Sequence, residues 1–274
     1  MCVATSVAEN VVSVNFENWG SIEQDRYAGV VDVANWNDTW LDNGKVSPMT
    51  DLRDSTGATT TMSVAWTGGE WGIRLWDGNA SGVDTDGRRN VSLMKGYLDA
   101  HAPESTTATF TDIPYASYDV YVYVMSDVAN RAGSVTVGDA TYYFRTDPDS
   151  LHFTAEGTAD YVEFKEITAA DADSAVRSNY AVFRGVTGSS FTVSATVADG
   201  GGIAGVQIVE DVFRPVVIPE HEDGSVGTLI SQNEVEVSFG WSAVGDPDTD
   251  RAYPVHPDTV GYYIYLSLGG KDDP

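Results

Sequence analysis

Most of the 7 tryptophans lie in the N-terminal third of the chain, close to polar residues. Trp36 and Trp40 belong to the segment NWNDTWLDNG, and Trp71 and Trp76 bound the segment WGIRLW, which contains Arg74. Proteins bind sugars by stacking an aromatic ring on an apolar C–H face and by hydrogen-bonding the hydroxyls with amides, carboxylates or arginine. These five residues are therefore candidates for carbohydrate contact. The alternative is that the rings fill a β-sandwich core.

An acidic loop, DGNASGVDTDGRR, follows Trp76 directly. Its first residues match D-x-N-x-S-G, the first half of a calcium-binding loop, although Arg88 stands where such a loop carries its bidentate glutamate. The candidate calcium ligands are Asp77, Asn79, Ser81, Asp84 and Asp86. We therefore predict no cofactor requirement, but a structural Ca²⁺ bound in a geometry other than the EF-hand. The alternative is a solvated turn rich in glycine and aspartate.

No catalytic signature stands out in the sequence. The 4 histidines are scattered and lack metal-site spacing, and neither a G-x-S-x-G elbow nor a phosphate-binding loop occurs. Glu163 and Glu166 form the nearest pair of strand carboxylates, but alternation places them on opposite faces. We predict that the protein is not an enzyme; a β-sandwich glycoside hydrolase or lyase is the remaining catalytic alternative.

The formal net charge of -26 limits the partners. Nucleic acid and anionic membrane surfaces are excluded, because binding them requires lysine and arginine to neutralise phosphate. No apolar run reaches the roughly twenty residues of a membrane span, so membrane insertion is not expected. The charge suits solubility in a salty or extracellular medium. With 1 cysteine, the chain cannot form an internal disulfide.

The segment YDVYVYVM shows strict period-two alternation. Val120, Val122 and Val124 share one face, and Tyr121 and Tyr123 share the other. This pattern predicts a half-buried antiparallel strand whose valines line the core between two sheets. If the tyrosine face is open, Tyr121 and Tyr123 form a ligand platform.

Short alternating segments separated by glycine, asparagine and aspartate turns recur through residue 209. The pattern predicts an all-β protein, an antiparallel β-sandwich. The one helix expected covers Asn90–Ala100, with Asn90 or Ser92 as its N-cap.

The composition changes near residue 212. Residues 11–212 are predicted to form the sandwich, and residues 213–225, FRPVVIPEHEDGS, read as a linker. Alternation returns in residues 226–274, but these residues supply too few strands for a complete sandwich. We expect this second module to be truncated or completed by another polypeptide.

Several phrases occur together in residues 11–210: SVNF, LMKGYLDA, FTDIPYASYDVYVYV, RAGSVTVGDATYYF and GGIAGVQIVE. This region resembles the jelly-roll modules, similar to galactose-binding-like and carbohydrate-binding domains, of large exported proteins of planctomycete- and verrucomicrobium-type bacteria. The tail, VEVSFGW to GYYIYLS, resembles the first strands of a fibronectin type III or immunoglobulin-like module. The resemblance implies a secreted or cell-surface, multi-module protein whose signal peptide lies outside this numbering.

The leading functional prediction is a non-catalytic carbohydrate-binding module whose partner is a polysaccharide or glycan. The predicted contact residues are Trp36, Trp40, Trp71, Arg74, Trp76, Tyr121 and Tyr123. The alternative is a structural or adhesive surface module that self-associates through open sheet edges or pairs with neighbouring modules.

Overall fold

The computed structural model describes residues 10–16, 21–39, 41–42, 46–72, 83–155, 158–211, 228–232 and 237–240. The chain divides into two compact units, Met1–Val212 and Phe213–Pro274. Within the described ranges no helix is long and apolar enough to cross a membrane.

The described elements are almost all strands. In chain order they are β1 (Val11–Asn15), β2 (Asn37–Asp38), β3 (Ser63–Thr67), β4 (Gly69–Gly72), helix α1 (Asn90–Lys95), β5 (Gly96–Asp99), β6 (Thr106–Thr111), β7 (Ser117–Met125), β8 (Ala132–Val137), β9 (Ala140–Arg145), a 3₁₀ turn (Pro148–Ser150), β10 (Leu151–Phe153), β11 (Ala159–Val162), β12 (Tyr180–Thr187), β13 (Phe191–Val197), β14 (Gly202–Glu210), β15 (Thr228–Gln232) and β16 (Val237–Gly240).

Two five-stranded sheets form the first unit. The first sheet has the order β12-β7-β14-β1-β2, and the second sheet has the order β3-β6-β13-β8-β9. Every ladder in them is antiparallel except the short β1-β2 pair. Two small sheets, β4-β5 and β10-β11, accompany them. The predicted all-β, antiparallel sandwich class is confirmed.

The core between the two sheets follows from alternation along the strands. In β7, Val120, Val122 and Val124 are buried in this core, as the period-two pattern predicts. The second sheet contributes rings such as those of Phe110 and Phe191, which stack with centroids 5.1 Å apart. Burial of one apolar face of each sheet is what holds the sandwich together.

A third layer covers the outward face of the first sheet. This covering layer consists of residues 22–36, α1 and the β10-β11 pair, whose apolar side chains form a second buried cluster with residues of β7 and β14. The polar centre of this contact between layer and sheet is Gln207 of β14. Its side-chain amide donates to Ser13 Oγ (3.1 Å) and Val31 O (2.8 Å). Gln207 Oε1 accepts from the Tyr123 hydroxyl at 2.5 Å. The amide is thus satisfied although it is completely buried.

The predicted helix Asn90–Ala100 is correct only in its first half. α1 ends at Lys95, because Gly96 adopts an extended conformation and the next residues pair with β4. Neither predicted N-cap residue caps the helix: Arg89 occupies the N-cap position without a side-chain cap bond. The carboxylate of Asp84 instead accepts from the backbone N–H groups of Asn90 (3.1 Å) and Val91 (3.0 Å).

In the second unit the structure describes one antiparallel pair, β15 and β16, in which Leu229 is opposite Phe239. The immunoglobulin-like character of this unit stays a prediction.

Candidate functional site

Two of the predicted sugar-stacking rings are buried. Trp36 has 0% relative exposure, and its ring lies 6.3 Å from that of Tyr123, which is also completely buried. The indole Nε1–H of Trp36 donates to Val33 O within the covering layer. Neither ring offers a face to solvent, so the prediction that Trp36 and Tyr123 stack on a sugar is wrong. The covering layer, which alternation alone does not reveal, is the physical reason.

The side-chain positions of the other predicted residues in the tryptophan-rich loops are not described. Trp40, Arg74 and Trp76 lie outside the described residues. Trp71 is in β4, where its backbone pairs with Tyr97 of β5, but its side chain is not among those described. Their proposed contacts with sugar stay predictions.

Tyr121 differs from Tyr123 although both point outward from β7. The Tyr121 side chain is half-buried: it lies between Val182 of β12 and Gln207 of β14 and packs against the second buried cluster without being sealed by it. Of the predicted contact residues whose side chains the structure describes, Tyr121 is the one that keeps part of its ring at the surface.

A charged pair lies beside Tyr121. Arg184 Nη1 donates to Asp119 Oδ2 at 3.1 Å, and the second carboxylate oxygen of Asp119 accepts from the backbone N–H of Gly185 at 2.9 Å. Arg184 also lies close enough to Tyr121 for that phenol to affect its pKa. Its own side chain is 65% exposed, so most of the guanidinium remains open to a ligand.

Tyr180 and Glu166 complete the surface. Glu166 pairs with Tyr180 through a backbone bridge, and burial and, less strongly, the negative charge of Glu166 raise the pKa of Tyr180. Burial acts to lower the pKa of Arg184, but the Asp119 carboxylate, the Tyr121 phenol and the Glu166 carboxylate outweigh it and raise that pKa above the ordinary value. Asp119, Tyr121, Glu166, Tyr180 and Arg184, here called the Tyr121 patch, thus offer two phenol rings, one cation and two carboxylates.

Neighbouring aromatic rings, half-buried Phe164 and buried Tyr123, support the patch. The Phe164 ring lies 6.0 Å from Tyr180 in an edge-to-face arrangement and 5.7 Å from Tyr123. Tyr123 and Tyr180 are 6.3 Å apart. Tyr123, whose exposure the sequence left open, is buried and therefore holds the outer rings in place.

An ion cluster around one buried carboxylate fixes the segment that carries Glu166. Asp147, whose side chain is 1% exposed, accepts from Lys165 Nζ at 3.0 Å and forms an ion pair with Arg177. Two cations offset the desolvation of one buried carboxylate. Asn179 adds a bond from its side chain to Glu163 O at 2.9 Å. The connection between β11 and β12 is therefore held in one position relative to Tyr180.

Three members of the patch were missed by sequence reasoning. Tyr180 and Arg184 lie in a strand predicted from its alternation, but the sequence does not reveal that this strand pairs with β7. Glu166 was considered only as half of a catalytic pair with Glu163. In the structure Glu163 instead forms a 2.9 Å ion pair with Lys165. The outward parity of Tyr180 and Arg184 was the one usable signal.

The predicted calcium loop is described only in part. Asp84 is buried and caps α1, and the carboxylate of Asp86 forms a 2.7 Å ion pair with Arg88. Asp77, Asn79 and Ser81 lie outside the described residues. Among the side chains that the structure does describe, no three His, Cys, Asp or Glu residues converge as metal ligands.

Thermal unfolding with and without EDTA tests the calcium prediction. An ion bound only by the folded state raises the melting temperature, so EDTA should lower it by several degrees and excess Ca²⁺ should restore it. Excess Mg²⁺ serves as the control, because it demands stricter octahedral geometry and keeps its waters. Identical melting curves in Ca²⁺ and EDTA would contradict a structural calcium ion.

No protein-family model matches this chain, and no curated protein sequence matches it.

Proposed function

We propose that the chain is a non-catalytic carbohydrate-binding module of an exported bacterial multi-module protein, and that the Tyr121 patch contacts the glycan. The observation that carries this proposal is the partly exposed Tyr121 ring beside the open guanidinium of Arg184. The ring can stack on the C–H face of a sugar, and the charged groups can donate to and accept from its hydroxyls. The Asp119 carboxylate already accepts bonds from Arg184 and from the backbone of Gly185, an arrangement for holding a ligand, and we propose no reaction at the patch.

The strand order supports the jelly-roll type proposed from the resemblance. Eight strands form the larger part of the sandwich, in the order β1-β14-β7-β12 in the first sheet and β6-β13-β8-β9 in the second. Along the chain, β1, β7, β12 and β14 of the first sheet alternate with β6, the β8-β9 hairpin and β13 of the second. Two four-stranded sheets wound in this way are typical of a double Greek key.

Replacing Tyr121 with alanine tests the proposed site. We expect about tenfold weaker binding to a polysaccharide that the wild-type protein retains, because the stacking ring is lost. The measurements are affinity electrophoresis and calorimetry against a panel of neutral and anionic polysaccharides. Arg184→Ala should weaken binding similarly, with little effect on stability, since its ion pair is exposed.

Tyr161→Ala is the matched control. Tyr161 is an exposed tyrosine of β11 whose ring stacks on His152 at 4.2 Å, and it is not part of the patch. We expect its affinity to equal that of the wild type. A folded wild-type protein that gives neither retardation nor heat with any polysaccharide would sink the proposal.

The alternative, self-assembly through open sheet edges, has less support in the first unit. On one side Tyr143 N donates to Ala169 O at 2.9 Å and Ile167 N donates to Tyr180 O at 2.6 Å, so residues 165–178 lie along the outer strands. On the other side Met49 and Val64 exchange two backbone bonds of 2.9 Å. Such covering blunts strand addition. Light scattering at high concentration distinguishes the two functions.

A further inference from the structure

The second sheet has an outward face that nothing described in the first unit covers. Its outward positions on the two central strands are all threonine or serine: Thr107, Thr109 and Thr111 of β6, and Thr192, Ser194 and Thr196 of β13. Each of these side chains is half-buried or exposed. The flanking strands add Thr67, Thr136 and Thr141. Together these nine residues are called the hydroxyl face, in contrast to the sealed outward face of the first sheet.

Cross-strand pairs order the hydroxyl groups. The side-chain oxygens of Thr67 and Thr107 are 2.7 Å apart, those of Thr109 and Thr192 are 2.9 Å apart, and those of Thr136 and Thr141 are 2.9 Å apart. A hydroxyl carries one donor and two acceptor sites. In each pair one hydroxyl therefore donates to the other, and the second O–H and the remaining lone pairs are available to a partner. The β-branched side chains are also stiff, so little rotamer entropy is lost on binding.

The charge of this face differs from that of the whole chain. The sequence holds 41 acidic residues, yet no outward position on the five strands of the second sheet is acidic, and the one charged residue there is Arg145 at the end of β9. One carboxylate borders the face, because the Thr111 hydroxyl donates to Asp112 Oδ2 at 3.1 Å. At the outward positions themselves a neutral partner can bind without desolvating a carboxylate.

The side chains and the twist of the hydroxyl face indicate which kind of partner it can bind. A second copy is disfavoured, because Tyr143 is the one aromatic outward side chain of this sheet and stable protein interfaces need buried aromatic or aliphatic anchors. A flat crystalline solid is disfavoured because neighbouring strands twist by roughly 20 to 25°. A single flexible chain bearing its own hydroxyls can follow the twist and match the donors and acceptors.

We propose that the hydroxyl face is a second docking surface, and that it binds a chain of a neutral, soluble polysaccharide. This inference rests on the proposed carbohydrate-binding function and adds the ligand class and a second contact surface. The methyl groups of the threonines contact the C–H faces of the sugars, and the paired hydroxyls exchange hydrogen bonds with the sugar hydroxyls.

Affinity electrophoresis of the full chain tests this inference. The gels contain mixed-linkage β-glucan, galactomannan or arabinogalactan as neutral probes and polygalacturonate as the anionic probe. Thr109→Val with Thr192→Val removes one hydroxyl pair and keeps the branched shape; we expect at least fivefold weaker retention by the neutral probe that binds. Thr192→Glu places a carboxylate at the centre of the face and should abolish that retention. Circular dichroism verifies that each variant is folded.

The control is Thr154→Val with Thr158→Val, an exposed hydrogen-bonded threonine pair between β10 and β11, outside the hydroxyl face. We expect its retention to equal the wild type. The inference is overturned if the Thr109→Val/Thr192→Val variant and the Thr192→Glu variant are both retained as strongly as the wild type. If only Tyr121→Ala then loses retention, the proposed function stands without the hydroxyl face. Retention by polygalacturonate alone also overturns the inference but leaves the function standing. A wild-type dimer that Thr192→Glu converts to a monomer would assign the face to a second copy and overturn it too.

Discussion

Replacing Trp36 with alanine is expected to lower the free energy of unfolding by about 3 to 5 kcal/mol. The Trp36 side chain is completely buried, so its removal leaves a large cavity between the covering layer and the first sheet. The surroundings are tightly fitted: a Cβ added at Gly29 would come within 2.9 Å of the indole and 2.5 Å of the Gln207 side chain. Val33 O would also lose the indole N–H as its 3.0 Å donor. Urea unfolding followed by circular dichroism measures the loss.

Two companion variants separate packing from ligand contact. Tyr27→Ala removes a ring from the same segment that is 52% exposed, and it should cost less than about 1 kcal/mol. Trp36→Phe keeps most of the apolar volume, and it should leave polysaccharide affinity unchanged because the indole does not reach solvent. A Trp36→Ala loss below about 1 kcal/mol, or a clear fall in affinity with Trp36→Phe, would contradict the buried role.

The contribution of Asp84 to the free energy of unfolding is expected to fall as the pH rises from about 4 to about 6. Burial raises the pKa of Asp84 to about 6, although the N–H groups of Val91 and Asn90 partly oppose the shift. Because the folded state then holds this proton more tightly than the unfolded chain, rising pH removes it at greater cost from the folded state. A change of about two pKa units corresponds to roughly 3 kcal/mol.

The difference in unfolding free energy between wild type and Asp84→Asn isolates this group. That difference, wild type minus variant, should decrease from pH 4 to pH 7, since carboxylates common to both proteins cancel. Asp86→Asn provides a control of opposite sign. Burial of Asp86 acts to raise its pKa, but hydrogen bonds and the charge of Arg88 outweigh it and lower the pKa. The ionised form of Asp86 therefore stabilises the fold, and this contribution is lost as the pH falls. A flat Asp84 difference over this range would contradict the raised pKa.

The strands of the sandwich were predictable because period-two alternation is a local property of the backbone. The positions of Val120, Val122 and Val124 follow from it directly. The helix was overestimated because the apolar spacing of Leu93–Leu98 fits a helix and also fits a buried turn of α1 followed by β5.

The candidate site could not be predicted from alternation, because it depends on which strands pair and on which faces other segments cover. Tyr121 and Tyr123 have the same parity on β7, yet one is half-buried and the other is sealed by residues far away in sequence. Arg184 lies 65 residues from Asp119, and only the β12-β7 pairing brings the two together. The acidic loop also could not be interpreted from sequence alone. The spacing of Asp84 suggests a calcium ligand, whereas in the structure its carboxylate caps α1.

The Gln207 side chain joins three strands to the covering layer through one amide. Ser13 is in β1, Tyr123 is in β7, and Val31, which both donates to and accepts from the amide, is in the layer. Lifting the layer would leave this buried amide with unmet donors and acceptors, a cost that a purely apolar contact would not impose. We therefore expect the covering layer not to open by local unfolding while the sheet stays folded. In amide exchange, residues 28–33 and the centre of β14 belong to one cooperative opening unit, although the former are a loop and the latter is a core strand.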